Sequence, residues 1–172
     1  SLFPSDFTTG TAMQPLNGLI WMGDPNFMNQ QVRDKIEAGF KVLKMKIGAI
    51  ELEEEINILK NIRKEFTADE LELRVDANGA FSHTEAPDVL SRLADLQIHS
   101  IERPIKAGQW HEMADLCESS PIPIALDEDL IGLFHSAERR KLLHDVKPAY
   151  IILKPSFIGG FRGSEEWICK SA

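Results

Sequence analysis

Five times along the chain a short apolar run ends on a charged side chain, at Lys46, Asp76, Glu102, Asp127 and Lys154, in steps of 30, 26, 25 and 27 residues. A step averaging 27 residues holds one strand, one helix and two short turns, so the spacing predicts a strand-helix unit that repeats. The runs over 19–22, 40–47, 71–75, 98–101, 122–126 and 150–153 read as strands. Between them, apolar residues recur at helical spacing. Met28, Val32 and Ile36 precede a stop at Gly39, and Leu52, Ile56, Leu59, Ile62 and Phe66 share one face of the clearest amphipathic helix. Ser82 and Glu85 resemble a capping box ahead of Val89, Leu93 and Leu96, although Pro87 places the helix start two or three residues later. Helices over 110–117 and 136–144, and a last one opening at Ser164, complete the series.

Strands that alternate with helices through short loops run parallel, because each helix returns the chain to the same end of the sheet. An open doubly wound sheet usually carries a glycine-rich phosphate loop, and no GxGxxG or Walker pattern occurs here, which favours a barrel. Eight units of this length need about 216 residues, more than the 172 present. The expected fold is therefore α/β, a partial TIM-type barrel of about six βα units. Residues 1–18, rich in Ser, Thr, Pro and Gly, form a lead-in, and 19–172 form the incomplete barrel domain.

The charge balance narrows the partners. Against 27 Asp and Glu stand 19 Lys and Arg, a net charge of −8 that repels a phosphate backbone and excludes nucleic acid as the expected partner. No apolar stretch reaches the roughly 18 residues of a spanning helix, and residues 1–10 lack a basic-then-apolar signal pattern, so no membrane association is expected. Cys117 and Cys169 show no CxxC or Cys/His spacing, which fits reduced thiols and a cytoplasmic location.

Strand alternation assigns the charged residues a direction. Leu43, Met45 and Ile47 share one face of their strand, which leaves Lys44 and Lys46 on the other. By the same alternation Arg74 and Asp76, Glu102, Asp127 rather than Glu128, and Ile152 with Lys154 turn toward the barrel axis, where catalytic groups gather at the C-terminal mouth. Three carboxylates and three ammoniums in one interior are costly unless paired or bound to a metal. Oxygen ligands from Asp76, Glu102 and Asp127 suit a hard cation, Mg²⁺ with Mn²⁺ as a substitute, which can stabilise an enolate while a nearby base removes a proton alpha to a carboxylate. Lys46 is the expected base, with Lys44 beside it and Lys154 across the barrel as an acid or a stabilising cation. Asn78 and Gly79 read more readily as a turn than as ligands, and Gly159-Gly160 as a loop that can also hold a carboxylate. Glu128 and Asp129 belong behind the ligands or at the solvated rim, Trp21 and Met22 pack at the barrel end, and the five histidines share no metal spacing. A barrel lysine such as Lys154 can also serve a Schiff-base aldolase.

The ordered segments LKMKIG (43–48), RVDANGAF (74–81), SIERPI (100–105), ALDED (125–129) and LKPSFIGG (153–160) resemble the enolase superfamily, in its muconate-lactonizing subgroup. NGLIWMG (17–23) and the Lys154 to Gly160 segment are similar to the menaquinone-pathway dehydratases of that subgroup. The resemblance implies a Mg²⁺-dependent lyase whose small-molecule substrate is 2-succinyl-6-hydroxy-2,4-cyclohexadiene-1-carboxylate. It gives Lys46 as the base, Asp76, Glu102 and Asp127 as metal ligands, and Lys44 and Lys154 as electrostatic support. Dipeptide epimerization or muconate-type cycloisomerization uses the same residues, and an inert metal-binding domain stands as a third outcome. Arg103 departs from the Gln expected after the metal-binding Glu. The family's capping domain and last two strands find no counterpart in the sequence, and open barrel edges would favour self-association.

Overall fold

The computed structural model describes residues 4–171. Residues 1–3 of the lead-in and Ala172 lie outside the described residues. Six strands, β1 Gly18–Ile20, β2 Val42–Lys46, β3 Glu72–Asp76, β4 Ser100–Glu102, β5 Ile124–Leu126 and β6 Tyr150–Ile151, form one sheet in sequence order. Every neighbouring pair is parallel, the longest register running from Val42 beside Glu72 to Lys46 beside Asp76. After a one-turn helix α1 (Asp6–Thr9), the connecting helices are α2 Pro25–Glu37, α3 Leu52–Glu65, α4 Ala86–Asp95, α5 Trp110–Ser119, α6 Ser136–Val146 and α7 Gly160–Ser171. The expected partial barrel of six βα units is therefore the architecture found.

The core lies between the sheet and its helices, where alternation sends every second strand side chain. Leu43, Met45, Ile47, Leu73, Val75, Ile101, Ile124 and Leu126 are buried there. They meet Ile56, Leu59 and Ile62 of α3, Val89, Leu90 and Leu93 of α4, and Trp167 of α7. Burying each such side chain is worth about 1.5–3 kcal/mol, so a one-residue slip of any strand would exchange this gain for buried charge. α3 is tuned further by Glu53, Glu54 and Glu55 in its first turn and Arg63 and Lys64 in its last, both matching the helix dipole.

Of two helix starts, the later one inferred from Pro87 is met and the other is not. α4 starts at Ala86, since Ser82 and Glu85 bond each other in the preceding turn and Pro87 then sits in the first helical turn, where its missing N–H costs nothing. α7 opens at Gly160, not Ser164. Gly163 permits this earlier start, because a β-carbon there would collide with the Ile158 carbonyl. α1 was not expected either; Ser5 and Thr8 cap it reciprocally and Gly10, at φ 79°, ends it. No helix among the described residues is long and apolar enough to cross a membrane.

Candidate active site

The inner face of the sheet carries what the outer face rejects. Lys46 and Asp76 are register partners, Asp76 is in turn beside Glu102, and Glu102 is beside Ala125, two residues before Asp127. These side chains, with Lys44 on β2 and Lys154 beyond β6, meet in one ionic network at the C-terminal ends of the strands. The Lys46 ammonium donates to Asp76 Oδ2 (2.6 Å) and to Asn78 Oδ1 (2.7 Å). Lys44 donates to Glu102 Oε2 and lies 3.3 Å from Asp76 Oδ2. Lys154 donates to Asp127 Oδ2 and lies 3.5 Å from Glu128 Oε1, and Glu128 also pairs with Arg103 (2.8 Å). The structure thus brings together all six residues singled out from the sequence.

Each charge is set by its surroundings. Asp76, Glu102 and Asp127 are 1%, 5% and 2% exposed, a depth at which an unpaired carboxylate would be expensive. Burial works against the Asp76 charge, but Lys46, Lys44 and the Asn78 amide outweigh it and hold its carboxyl below the usual range. At Glu102 burial wins: joined by the neighbouring charge of Asp76 and a hydrogen bond shared with Asp127, it overrides Lys44 and pushes the carboxyl up to about 7. Burial also opposes the Lys154 charge, yet its bond to Asp127 and the fields of Asp127, Glu128 and Glu102 raise its pKa, so it is held as a cation.

Three buried carboxylates on adjacent strand ends are the hard oxygen ligands that Mg²⁺ takes, and the ammoniums of Lys44, Lys46 and Lys154 balance their charge one for one. As the side chains stand, each carboxylate faces an ammonium, and among the described residues no three acidic, His or Cys groups are arranged around a common ion. The donor atoms fit the ion in their chemistry, and holding it would require the carboxylates to exchange their ammonium partners for the cation.

Several neighbours behave differently from their sequence reading. Asn78 does form the expected turn, at φ 49°, with its N–H on Asp76 Oδ1 (3.0 Å), but its side chain also holds Lys46. Gly79 is required at φ 74°, since a β-carbon would press on the Lys106 backbone. Trp21 is exposed rather than packed at the barrel end, its backbone N–H and carbonyl both bonded to the Gln31 amide. Glu128 lies behind Lys154, as expected. Asp129 is buried, with one oxygen on the Gly108 N–H (3.3 Å) and the other without a partner. Nothing in the alternation signalled that burial, because Asp129 falls in a 3-10 turn, Glu128–Leu130, outside any strand.

Residues 28–167 match the sequence profile of the family described as enolase C-terminal domain-like. The chain belongs to this family. Among its relatives is the o-succinylbenzoate synthase of Desulfotalea psychrophila, 53% identical over 96% of this chain and 45% of its own length. The crystal structure of MenC from the same organism superposes with a TM-score of 0.89 at 48% identity, covering 98% of this chain and 46% of that one. A dipeptide epimerase from Enterococcus faecalis superposes with a TM-score of 0.78 at 26% identity, over 91% of this chain and 45% of that one. The chain spans about half the length of these family members.

Proposed function

We propose that this chain carries the catalytic face of a Mg²⁺-dependent dehydratase that converts 2-succinyl-6-hydroxy-2,4-cyclohexadiene-1-carboxylate to o-succinylbenzoate, a step toward menaquinone. The observation that carries the reading is the conjunction of the six-residue ionic network with 53% identity, over 96% of the chain, to a protein named for that product. A cytoplasmic location and self-association through the open sheet edges belong to the same proposal.

The chemistry follows from the placement of the side chains. Lys46, in its neutral form, takes the proton alpha to the substrate carboxylate, and its position between Asp76 and Asn78 fixes the direction of approach. The resulting ammonium stays on the same face and hands a proton to the departing hydroxyl, which leaves as water in a syn elimination. Lys44 adds positive charge on that side. Lys154, held as a cation by its acidic neighbours, faces the developing anion from across the sheet. Mg²⁺ held by Asp76, Glu102 and Asp127 would supply positive charge against the substrate carboxylate as it gains electron density.

A second reading is epimerization of a dipeptide, supported by 39% identity over 83 residues to a hydrophobic dipeptide epimerase of Enterococcus faecalis, 48% of this chain and 23% of that one. It needs the same lysines, one on each face of the substrate. The deciding experiment supplies the protein with Mg²⁺ and, separately, the cyclohexadiene carboxylate and an Ala-Glu dipeptide. Loss of the diene with formation of the aromatic product is expected. Exchange of the dipeptide α-proton with solvent without dehydration would replace the first reading by the second.

A further inference from the structure

Glu55 is a buried carboxylate that the chemistry above does not use. It is 1% exposed on α3, and no Lys or Arg pairs with it among the described residues. Its partners are successive backbone amides of the β2–α3 loop. Gly48 N–H donates to both oxygens (2.8 and 2.9 Å), and Ala49 (3.2 Å) and Ile50 (3.5 Å) donate to Oε1. Consecutive amides turned onto one anion form a nest, and the nest fixes the loop conformation that makes it.

That loop begins one residue after Ile47, which itself follows Lys46. Ile47 N–H donates to the Asp76 carbonyl (2.9 Å). Gly48, at φ 87°, lies so close to Ala80 that a β-carbon on it would collide with the Ala80 methyl. Ala80 is in turn two residues beyond Asn78, and its N–H bonds the Ala77 carbonyl (2.9 Å). Glu55 therefore clamps one loop against another at the point where Lys46 leaves one and Asp76 and Asn78 leave the other. A neutral helix residue at this position would have left three amides to find water under a packed loop, whereas the charge of Glu55 strengthens all three bonds at the cost of burying it.

We propose that Glu55 is a positioning residue for Lys46, acting through the amides of Gly48, Ala49 and Ile50 and the Gly48–Ala80 contact. This rests on the reading of Lys46 as the base. Glu55 touches no reacting atom; it sets where the ammonium points. A purely structural clamp would stabilise the whole domain evenly, whereas a positioning clamp acts on Lys46 and spares Lys154, which follows β6, four strands away from β2.

The test uses Glu55→Gln, which replaces one acceptor oxygen by a donor that faces the same amides, and Glu55→Asp, which keeps the charge but withdraws it by one methylene. In each variant and the wild-type chain, the rates at which acetic anhydride modifies Lys46 and Lys154 are read by peptide mass spectrometry, with near-ultraviolet circular dichroism reporting the fold. Faster modification of Lys46 relative to Lys154 is expected, severalfold in Glu55→Gln and less in Glu55→Asp. An unchanged ratio in a folded variant, or equal acceleration of both lysines, would overturn the proposal, and Glu55→Asp decides if Glu55→Gln does not fold. With the cyclohexadiene substrate, kcat should fall about 10- to 100-fold with little change in KM, the signature of a misplaced base. A wild-type protein inactive on that substrate would defeat the functional reading while leaving the acetylation ratio to judge Glu55.

Discussion

Lys46 and Asp76 sit side by side in the β2–β3 register, and 2.6 Å separates the ammonium from Oδ2 of a carboxylate that is itself 1% exposed. The pair joins the proposed base to a proposed metal ligand, and the two halves separate cleanly by mutation. Lys46→Ala removes the proton acceptor and no ligand oxygen, so turnover should fall about 10²- to 10⁴-fold while Mg²⁺ affinity is kept or tightened. Asp76→Asn should weaken Mg²⁺ binding instead. Steady-state rates and titration calorimetry with Mg²⁺ measure the two effects; dehydration retained in the Lys46 variant would remove it as the base.

The contact between the loops after β2 and β3 gives a stability prediction. Gly48→Ala demands φ 87° of a residue with a β-carbon and drives that carbon into the Ala80 methyl. The backbone strain and the overpacking together should cost about 2–4 kcal/mol, read as a lower midpoint in urea. Ala80→Gly in the same chain removes the methyl and should restore the overpacking share but not the backbone share. Complete recovery would show that left-handed geometry at residue 48 is not obligatory.

The sheet and its inner charges were legible because one physical rule, alternation on a strand with one apolar face, decides both. Leu43, Met45 and Ile47 against Lys44 and Lys46 leave one register open, and the fold adopts it. What alternation does not reach is a residue outside a strand. Asn78 reads as a turn residue and forms that turn, yet the same left-handed turn swings its amide onto Lys46, a contact that depends on a strand residue 32 positions earlier in the chain. Glu55 follows Glu53 and Glu54 in the first turn of α3, a position where acidic side chains are commonly solvated. Its burial comes from the Gly48–Ile50 loop folding over it, and no periodicity records that. Gly159-Gly160 reads as a loop, and Gly160 nevertheless opens α7, because Gly163 lets the helix close on the Ile158 carbonyl.

The two thiols should separate in reactivity. Cys169 is exposed on α7, whereas burial, reinforced by the charge of Asp129, pushes the Cys117 thiol up to about 12. Alkylation by iodoacetamide at pH 8 requires a thiolate, so one equivalent should react in the folded protein, at Cys169, and the second only after denaturation. Peptide mapping assigns the sites. Rapid labelling of Cys117 in the native state would mean that the space between α5 and the 3-10 turn opens readily.

Glu55 finally gives the stability a pH dependence of known sign. Burial raises its pKa above the ordinary 4.5, and the opposing bonds from Gly48, Ala49 and Ile50 do not cancel the effect. The folded chain then holds that proton more tightly than the unfolded chain, so the contribution is fully present below about pH 4.5 and is lost as the pH rises through the folded-state value. Glu55→Gln cannot titrate. The melting temperature of the wild type minus that of the variant should therefore be largest near pH 4 and shrink toward neutrality, even though the amide nest is weakened in the variant at every pH. Melting curves of both proteins between pH 4 and 8 measure the slope. A difference that widens with pH would mean that the three amides outweigh desolvation and that Glu55 is held below, not above, its ordinary value.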